Sequence, residues 1–277
     1  MDFAPPLPIM AAMRTPLRMA ISLLCGWTAD RKLPRPLRAP AFKTYAKLTG
    51  ASLAESRGPL DIYPSLGAFF VRHLVPGARP IEADPAQLPC PVDGTFQSIG
   101  PVTNGQVMQA KGKSYEIREL LGDVGADVEL EGGHQWTIYL SPRDYHRIHA
   151  PEKCRLTEAR WIPGARWSVQ PWVLKWLKVL PVNERFPLRL ETERGPLFLV
   201  LVGALNVGRI RVLGVDPRHS GAVDPALPFE RGGELARFEM GSTIVLIAPP
   251  GTWKPSANCV PGQKVKLGES IAELVQA

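Results

Sequence analysis

Short runs of β-branched and aromatic residues, separated by turn residues, make up most of the chain from about residue 90 onward. The runs at 135–140, 197–202 and 243–247 are the clearest, and each has the composition of a β-strand. The chain of 277 residues also contains 29 prolines and 25 glycines, which favours many short strands joined by turns. We therefore expect an α+β fold in which most of the chain forms β-sheet.

Three further segments add detail to this expectation. Residues 66–74 predict a short helix, which ends in the turn residues of 76–80. Residues 113–121 predict the one helix inside the strand-rich region. Residues 261–272 alternate apolar and polar side chains around two glycines, which predicts two short strands.

Residues 1–57 differ from the rest, and we expect them to form a basic, amphipathic, helical extension. The first 50 residues carry eight arginines and lysines against two aspartates, so they hold +6 of the net charge of +7. Three prolines between residues 34 and 40 predict a break, after which the helix resumes over 42–53. The extension is expected either to lie in a membrane interface or to pack on the second unit, residues 58–277.

The composition argues against several classes of protein. No apolar stretch of about 18 residues exists, so a membrane-spanning helix is not expected. The basic residues alternate with prolines and aliphatic residues rather than with aromatic ones, which argues against nucleic acid as a partner. The four cysteines lack metal-binding or redox spacing, so we expect reduced thiols in a cytosolic compartment.

Residues 167–180 contain three of the seven tryptophans, and Lys175 and Lys178 are their only charged residues. Tryptophan favours membrane interfaces because its ring is apolar and its N–H group is polar. Prolines and a glycine flank the segment, as they would flank a surface loop that enters lipid. An ordinary aromatic core segment is the alternative.

Gly241-Ser242-Thr243 is the first candidate for chemistry, because a glycine precedes a hydroxyl nucleophile at the start of a β-branched run. A serine hydroxyl can attack the carbonyl group just before it, and glycine places no side chain in the way. Such an attack needs a histidine that takes the hydroxyl proton and a carboxylate that stabilises the charged histidine. This geometry suits a chain that cleaves itself.

The histidine is His146 or His149, and the carboxylate is Asp93 or Asp144. The two histidines are three residues apart, as two metal ligands on a helix would be. A metal site is nevertheless not expected, because the following Ala150-Pro151 disfavours a helix and no third ligand has suitable spacing.

The chain resembles the pyruvoyl-dependent phosphatidylserine decarboxylases from about residue 60 to its end. The resemblance rests on blocks that follow one another in the family's order: 69–72, 76–80, 91–94, 111–115, 120–122, 141–151, 182–185, 202–204, 206–208, 233–238 and 241–243. So many blocks in one order are specific. One departure is Met240, where the family usually has leucine, and this change conserves volume.

The resemblance implies that Asp93, His149 and Ser242 form a triad for self-cleavage between Gly241 and Ser242. The products would be a β chain of residues 1–241 and an α chain of residues 242–277, whose first residue becomes a pyruvoyl group. This pyruvate-derived cofactor would form a Schiff base with the amine of phosphatidylserine and accept electrons as carbon dioxide leaves. His146 would be the acid that then protonates the substrate carbon, giving phosphatidylethanolamine.

The resemblance also implies partners and a location. Phosphatidylserine lies in an anionic membrane, so the enzyme is expected at the cytoplasmic side of the cell membrane as a peripheral protein. The two chains of one precursor stay together, and a homodimer is compatible with the resemblance. Two alternatives remain open, namely a decarboxylase of another serine lipid, and a serine hydrolase that uses the same Asp, His and Ser residues without cleavage.

Overall fold

A computed structural model of the chain describes residues 26–110, 113–174, 176–204, 209–239 and 242–275, with the backbone alone at residues 110, 172 and 242. The helices are α1 (Arg35–Thr49), a 3-10 turn (Leu60–Ile62), α2 (Leu66–Phe70), α3 (Ile117–Leu121) and α4 (Pro171–Leu174). The strands are β1 (Gln87–Pro89), β2 (Gly94–Pro101), β3 (Gln106–Ala110), β4 (Lys113–Glu116), β5 (His134–Leu140), β6 (Arg147–His149), β7 (Cys154–Arg160), β8 (Arg185–Thr192), β9 (Gly195–Val202), β10 (Ile210–Val212), β11 (Ser220–Phe229), β12 (Glu234–Phe238), β13 (Ser242–Ala248), β14 (Trp253–Pro255), β15 (Lys264–Val265) and β16 (Ser270–Leu274). The expected α+β fold, rich in β-sheet, is confirmed.

An antiparallel sheet of eight strands, in the order β11-β7-β8-β9-β13-β5-β2-β15, holds most of the core. Strand β13 lies between β9 and β5, and its residues from Thr243 to Ala248 have no exposed surface. A strand covered on both faces must be apolar throughout, which explains the β-branched run after Ser242. The predicted strands at 135–140, 197–202 and 243–247 are therefore confirmed as β5, β9 and β13.

A smaller sheet, in the order β10-β12-β6, carries the chain into the first residue of β13. Strand β12 ends at Phe238, and the chain then reaches Ser242 through residues 239–241. The smaller sheet thus places β6 and β10 on either side of the strand that precedes Gly241-Ser242.

Helix α1 packs on the rest of the chain. The ring of Phe42 stacks on Phe69 with 4.8 Å between ring centroids, and Tyr63 meets Phe69 edge-on at 5.4 Å. The hydroxyl of Tyr45 donates a hydrogen bond of 2.7 Å to the carbonyl of Pro142. The described part of the extension therefore packs on its own domain, while residues 1–25 of the expected amphipathic extension lie outside the described residues. The division at residues 57 and 58 stays a prediction.

The predicted break is displaced toward the N-terminus: residues 26–30 are helical, residues 31–34 are not, and a single helix then runs from Arg35 to Thr49 through Pro40. Proline in the first turn removes no helical hydrogen bond, and Pro40 removes only one. Burial of Phe42 and Ala46 stabilises the helix in spite of it. Among the described residues, no helix is both long and apolar enough to cross a membrane.

The helix predicted over 113–121 is correct only in its second half. Residues Lys113–Glu116 form β4, in which Tyr115 pairs with Val107 of β3. Helix α3 begins only at Ile117, and the guanidinium of Arg185 closes its end by donating to the carbonyls of Glu119 and Leu120. Pairing with β3 makes residues 113–116 a strand. The hydrophobic periodicity of the sequence could not distinguish this strand from the start of a helix. The two short strands predicted near the C-terminus are β15 and β16.

We expect Gly94→Ala to lower the free energy of unfolding by about 1–3 kcal/mol, a typical effect of overpacking. A Cβ at Gly94 would lie 2.6 Å from the carbonyl oxygen of Tyr139 and 2.6 Å from Cγ2 of Ile138. Gly100 lies in the same strand and has open space at its Cβ position, so Gly100→Ala is the matched control. Urea unfolding measures both variants, and equal midpoints would contradict this close contact between β2 and β5.

Candidate active site

The register of the large sheet brings Ser242 and Asp93 to the same end of the sheet. Ser242, the first residue of β13, pairs with Leu140 of β5. On the other side of β5, Thr95 of β2 pairs with Tyr139, so Gly94 stands level with Leu140. Neighbouring strands are about 4.8 Å apart, which places the backbones of Ser242 and Gly94 roughly 10 Å from each other. Asp93 directly precedes Gly94 at this edge.

The segment after β5 turns back over the same edge and carries both histidines. The Asp144 carboxylate accepts hydrogen bonds from the Ser141 amide at 2.7 Å and the Ser141 hydroxyl at 2.6 Å. This local bonding closes the turn between β5 and β6. Asp144, the alternative carboxylate for the triad, thus has a structural function in the described chain.

The tautomer of His149 is fixed by its hydrogen-bond partners. Its Nδ1 lies 2.7 Å from the carbonyl oxygen of Gly232, which can only accept, so Nδ1 carries the proton. Its Nε2 therefore has a free electron pair, and the hydroxyl of Tyr145 donates to it at 3.2 Å. Burial lowers the pKa of His149 below its ordinary value, which keeps the ring neutral near pH 7. A neutral imidazole with a lone pair on Nε2 is suited to act as a base.

Asp93 is almost completely buried and is held by a partner that the sequence alone did not indicate. Arg79 donates to both of its carboxylate oxygens, from Nε at 2.8 and 3.1 Å and from Nη2 at 2.6 Å. The Leu267 amide donates a further bond of 2.9 Å. Among the described residues, no hydrogen bond joins Asp93 to His149. The Asp93 charge still acts through space on the His149 ring, where it favours the protonated form.

The backbone brings these two residues close together. The amide of His149 donates to the carbonyl of Pro91 at 2.9 Å, two residues before Asp93. On its other side, β6 pairs with β12, and Arg147 binds both carboxylate oxygens of Glu234 at 2.7 Å across this pair. Strand β6 is therefore fixed between the Asp93 turn and the strand that leads to Ser242.

His146 is fully buried beside these groups. Its Nδ1–H donates to the carbonyl of Asp144 at 2.8 Å, and its ring lies 4.0 Å from the ring of Phe70, between centroids. Burial lowers the pKa of His146 to about 3, so the ring is neutral. Its Nε2 is buried without a partner among the described residues. A neutral His146 can donate a proton from Nε2 only after that atom has accepted one.

The tryptophan segment is anchored at the same edge. The buried side chain of Asn183 exchanges two hydrogen bonds of 2.9 Å with the backbone of Trp167 and donates a third to the carbonyl of Gly203. Gly203 follows Val202, which pairs with Thr243. Farther along the segment, the indole of Trp176 is 76% exposed. Neither interpretation of this segment holds throughout, because Leu174 and Leu180 are buried while Trp176 faces solvent.

Sequence reasoning missed Arg79 and Tyr145 as members of the site. Both belong to blocks that carried the family resemblance, yet nothing in their spacing showed that Arg79 would bind Asp93 or that Tyr145 would face His149. Gly241 lies outside the described residues, and so does the side chain of Ser242.

Unpartnered polar atoms near residue 242 bear on whether the site fits a group made from Ser242. The Thr243 hydroxyl, next to Ser242, is buried without a partner among the described residues, as is Nε2 of His146. Buried polar atoms normally have partners, so Nε2 of His146 fits a site that accepts a polar group. Within the described ranges, no three His, Cys, Asp or Glu side chains are arranged to hold a metal ion.

Comparison with known proteins gives one consistent result. A family model described as phosphatidylserine decarboxylase matches residues 66–273. A phosphatidylserine decarboxylase proenzyme of Marinobacter nauticus is 40% identical over 270 residues, which are 93% of this chain and 94% of that protein. Proteins of the same name from Myxococcus xanthus and Anaeromyxobacter sp. (strain K) are 39% and 36% identical, and each alignment covers 95% of this chain and 96% of the relative.

Proposed function

Since the chain belongs to the phosphatidylserine decarboxylase family, we propose that it is a proenzyme that cleaves itself between Gly241 and Ser242 and then decarboxylates phosphatidylserine. The observation that carries this proposal is the meeting of three elements at one edge of the large sheet. These are the start of β13 with Ser242, the turn with Asp93, and β6 with His149. The relatives' common name lends no support to the serine hydrolase alternative.

Self-cleavage begins with attack of the Ser242 hydroxyl oxygen on the carbonyl carbon of Gly241. His149 takes the hydroxyl proton at Nε2, and the C–N bond breaks as the released amine gains a proton, which leaves an ester. Loss of the Cα proton of Ser242 then breaks the ester C–O bond and frees the carboxylate of Gly241. Hydrolysis of the remaining residue by one water releases ammonia and leaves the pyruvoyl group at the start of the α chain.

The neighbours of His149 support its function as the base. Gly232 fixes the tautomer, because the bond to its carbonyl keeps the proton on Nδ1 and the lone pair on Nε2. Tyr145 orients the ring from the other side. The charge of Asp93 stabilises the imidazolium that forms, and Arg79 and the Leu267 amide hold that charge in place. Asp93 thereby stabilises the charged histidine without a direct hydrogen bond.

The pyruvoyl group supplies the carbonyl that binds the substrate amine and withdraws electrons from the bond to the leaving carboxylate. His146 would hold this end of the α chain, because its Nε2 is a buried polar atom without a partner among the described residues. His146 is proposed to deliver the proton to the substrate carbon, after Nε2 has taken one up. The apolar contact with Phe70 excludes water from that histidine.

We also propose that the enzyme is peripheral to the cytoplasmic side of the cell membrane. The exposed indole of Trp176, on a segment anchored beside the site, supports insertion into the lipid interface. The sequence of the basic N-terminal extension supports attraction to anionic lipid.

The proposed function is tested with purified chain and vesicles that contain phosphatidylserine. We expect two chains by intact mass, release of carbon dioxide from phosphatidylserine but not from free serine, and loss of turnover after treatment with hydroxylamine. One unbroken chain that decarboxylates at full rate would refute the mechanism.

Trp176→Ala is expected to weaken vesicle binding at high salt about tenfold, because it removes an apolar ring from the lipid interface. Val260→Ala is the control, since Val260 is 53% exposed in a C-terminal turn. Vesicle sedimentation at low and high salt separates the two contributions, because salt screens the basic extension only. If the Trp176 variant binds vesicles unchanged at high salt, Trp176 does not contact the membrane, and the basic extension remains the candidate contact.

A further inference from the structure

A basic cavity of about 180 Å³ lies at the edge of the small sheet that is opposite to the histidines. We call it the arginine pocket, because four of its lining residues are Arg166, Arg209, Arg211 and Arg218. Trp161 and Glu184 form part of its wall. The proposed steps of self-cleavage and decarboxylation do not use these side chains.

The carboxylates near the pocket do not balance its positive charge. Glu184 binds Arg166 at 3.0 and 2.9 Å and also accepts the indole N–H of Trp161 at 3.1 Å. Arg209 contacts Asp30 at 2.5 Å and Glu239 at 3.6 Å.

Glu239 is shared among several guanidinium groups. It lies 3.9 Å from Arg211 and 3.7 Å from Arg237, which lies opposite Arg211 in the sheet. Arg218 stands over the ring of Trp161, 5.8 Å from its centroid, and pairs with no carboxylate among the described residues. Five guanidinium groups thus meet the carboxylates of Asp30, Glu184 and Glu239, while a fourth carboxylate, that of Asp216, accepts the backbone amide of Arg218 at 2.8 Å. The planar donors of arginine match the oxygens of a phosphate.

The pocket adjoins the cleavage site on two sides. The amide of Glu239, three residues before Ser242, donates to the carbonyl of Arg209 at 3.1 Å. On the other side, the carbonyl of Glu184 accepts the amide of Gly203 at 2.8 Å, and Gly203 follows the residue that pairs with Thr243. Three residues span at most about 11 Å of extended chain, which sets the largest possible separation of the Glu239 and Ser242 backbones.

We infer that the arginine pocket binds the phosphate group of the phospholipid substrate while its serine amine faces residue 242. This inference rests on the proposed function. Four bonds separate the amine nitrogen of phosphatidylserine from its phosphorus, a reach of roughly 5 Å with ordinary bond lengths. Strand β12 leads to residue 242 between β10 with its arginines and β6 with its histidines. The phosphate is therefore held on one side and proton transfer takes place on the other.

Binding is tested on the full chain with Ser242→Ala, so that no decarboxylation is needed. Calorimetry compares glycerophosphoserine with serine, which lacks the phosphate. We expect tighter binding of glycerophosphoserine, and a loss of roughly tenfold in that affinity in Arg211→Gln or Arg218→Gln. Serine binding should stay unchanged, and Arg211→Lys or Arg218→Lys should restore part of the loss.

Arg155→Gln is the matched control, because Arg155 is also exposed but does not line the pocket. It lies near the start of β7, and the pocket residue Trp161 follows the other end of that strand. Phosphatidylserine vesicles and inorganic phosphate are titrated separately. If the pocket binds a lipid headgroup, Arg211→Gln and Arg218→Gln must also weaken vesicle binding. The inference fails if glycerophosphoserine binds no better than serine, if Arg155→Gln has the same effect, or if only inorganic phosphate responds. It can fail in this way while the wild-type chain is still cleaved and active, which separates it from the proposed function.

Discussion

Ser242→Ala is expected to leave one uncut chain of 30.4 kDa with no decarboxylase activity. The variant lacks the only oxygen that can attack the Gly241 carbonyl from the next residue, and it lacks the precursor of the pyruvoyl group. The backbone of residue 242 pairs with Leu140 at the start of β13, and alanine preserves that pairing. The fold should therefore survive while processing and turnover are both lost.

A denaturing gel and intact mass follow the processing, and vesicle assays follow the turnover. Ser256→Ala is the control, because Ser256 lies in the same part of the chain and its buried hydroxyl has no partner among the described residues. We expect this control to be cut like the wild type. A Ser242→Ala chain that still separates into two pieces would overturn the assignment of the nucleophile.

His149→Gln is expected to stop processing almost completely. The glutamine amide can still donate to the carbonyl of Gly232, but it cannot take the proton of Ser242. General-base catalysis contributes about 10²–10⁴-fold to such steps, so uncut chain should accumulate. Intact mass at fixed times after synthesis measures the fraction cut. His73→Ala, at an exposed histidine without a proposed function, should be processed normally.

The pH dependence of processing gives a second test of His149. Burial lowers its pKa, so the neutral form persists to a lower pH than in a free histidine. Processing should therefore be constant near neutral pH and fall only as the pH drops through that lowered pKa. A midpoint at or above the ordinary histidine value would contradict His149 as the base.

Tyr145→Phe should still be cut, because the lone pair on Nε2 remains.

The sequence alone was sufficient for the family, for the predicted β-rich fold and for the candidate nucleophile. These features are local, since a glycine before a serine, a β-branched run and an ordered series of motifs can be read without knowing which strands pair. The predicted strands β5, β9 and β13 formed for the same reason, because their composition suits burial inside a sheet. Local patterns failed where packing opposed them, as in helix α1, which continues through Pro40 because Phe42 is buried against Phe69.

Only the tertiary structure shows which partners hold the candidate residues. The residues alone offered Asp93 with Asp144 as a competitor, and the resemblance implied Asp93; the structure shows that Asp144 closes a turn with Ser141 while Arg79 holds Asp93 near the His149 ring. The arginine pocket also joins residues that lie far apart in the chain, from 161 to 218. Such contacts depend on strand order and register, which the pairing of distant segments fixes and which no local pattern of residues specifies.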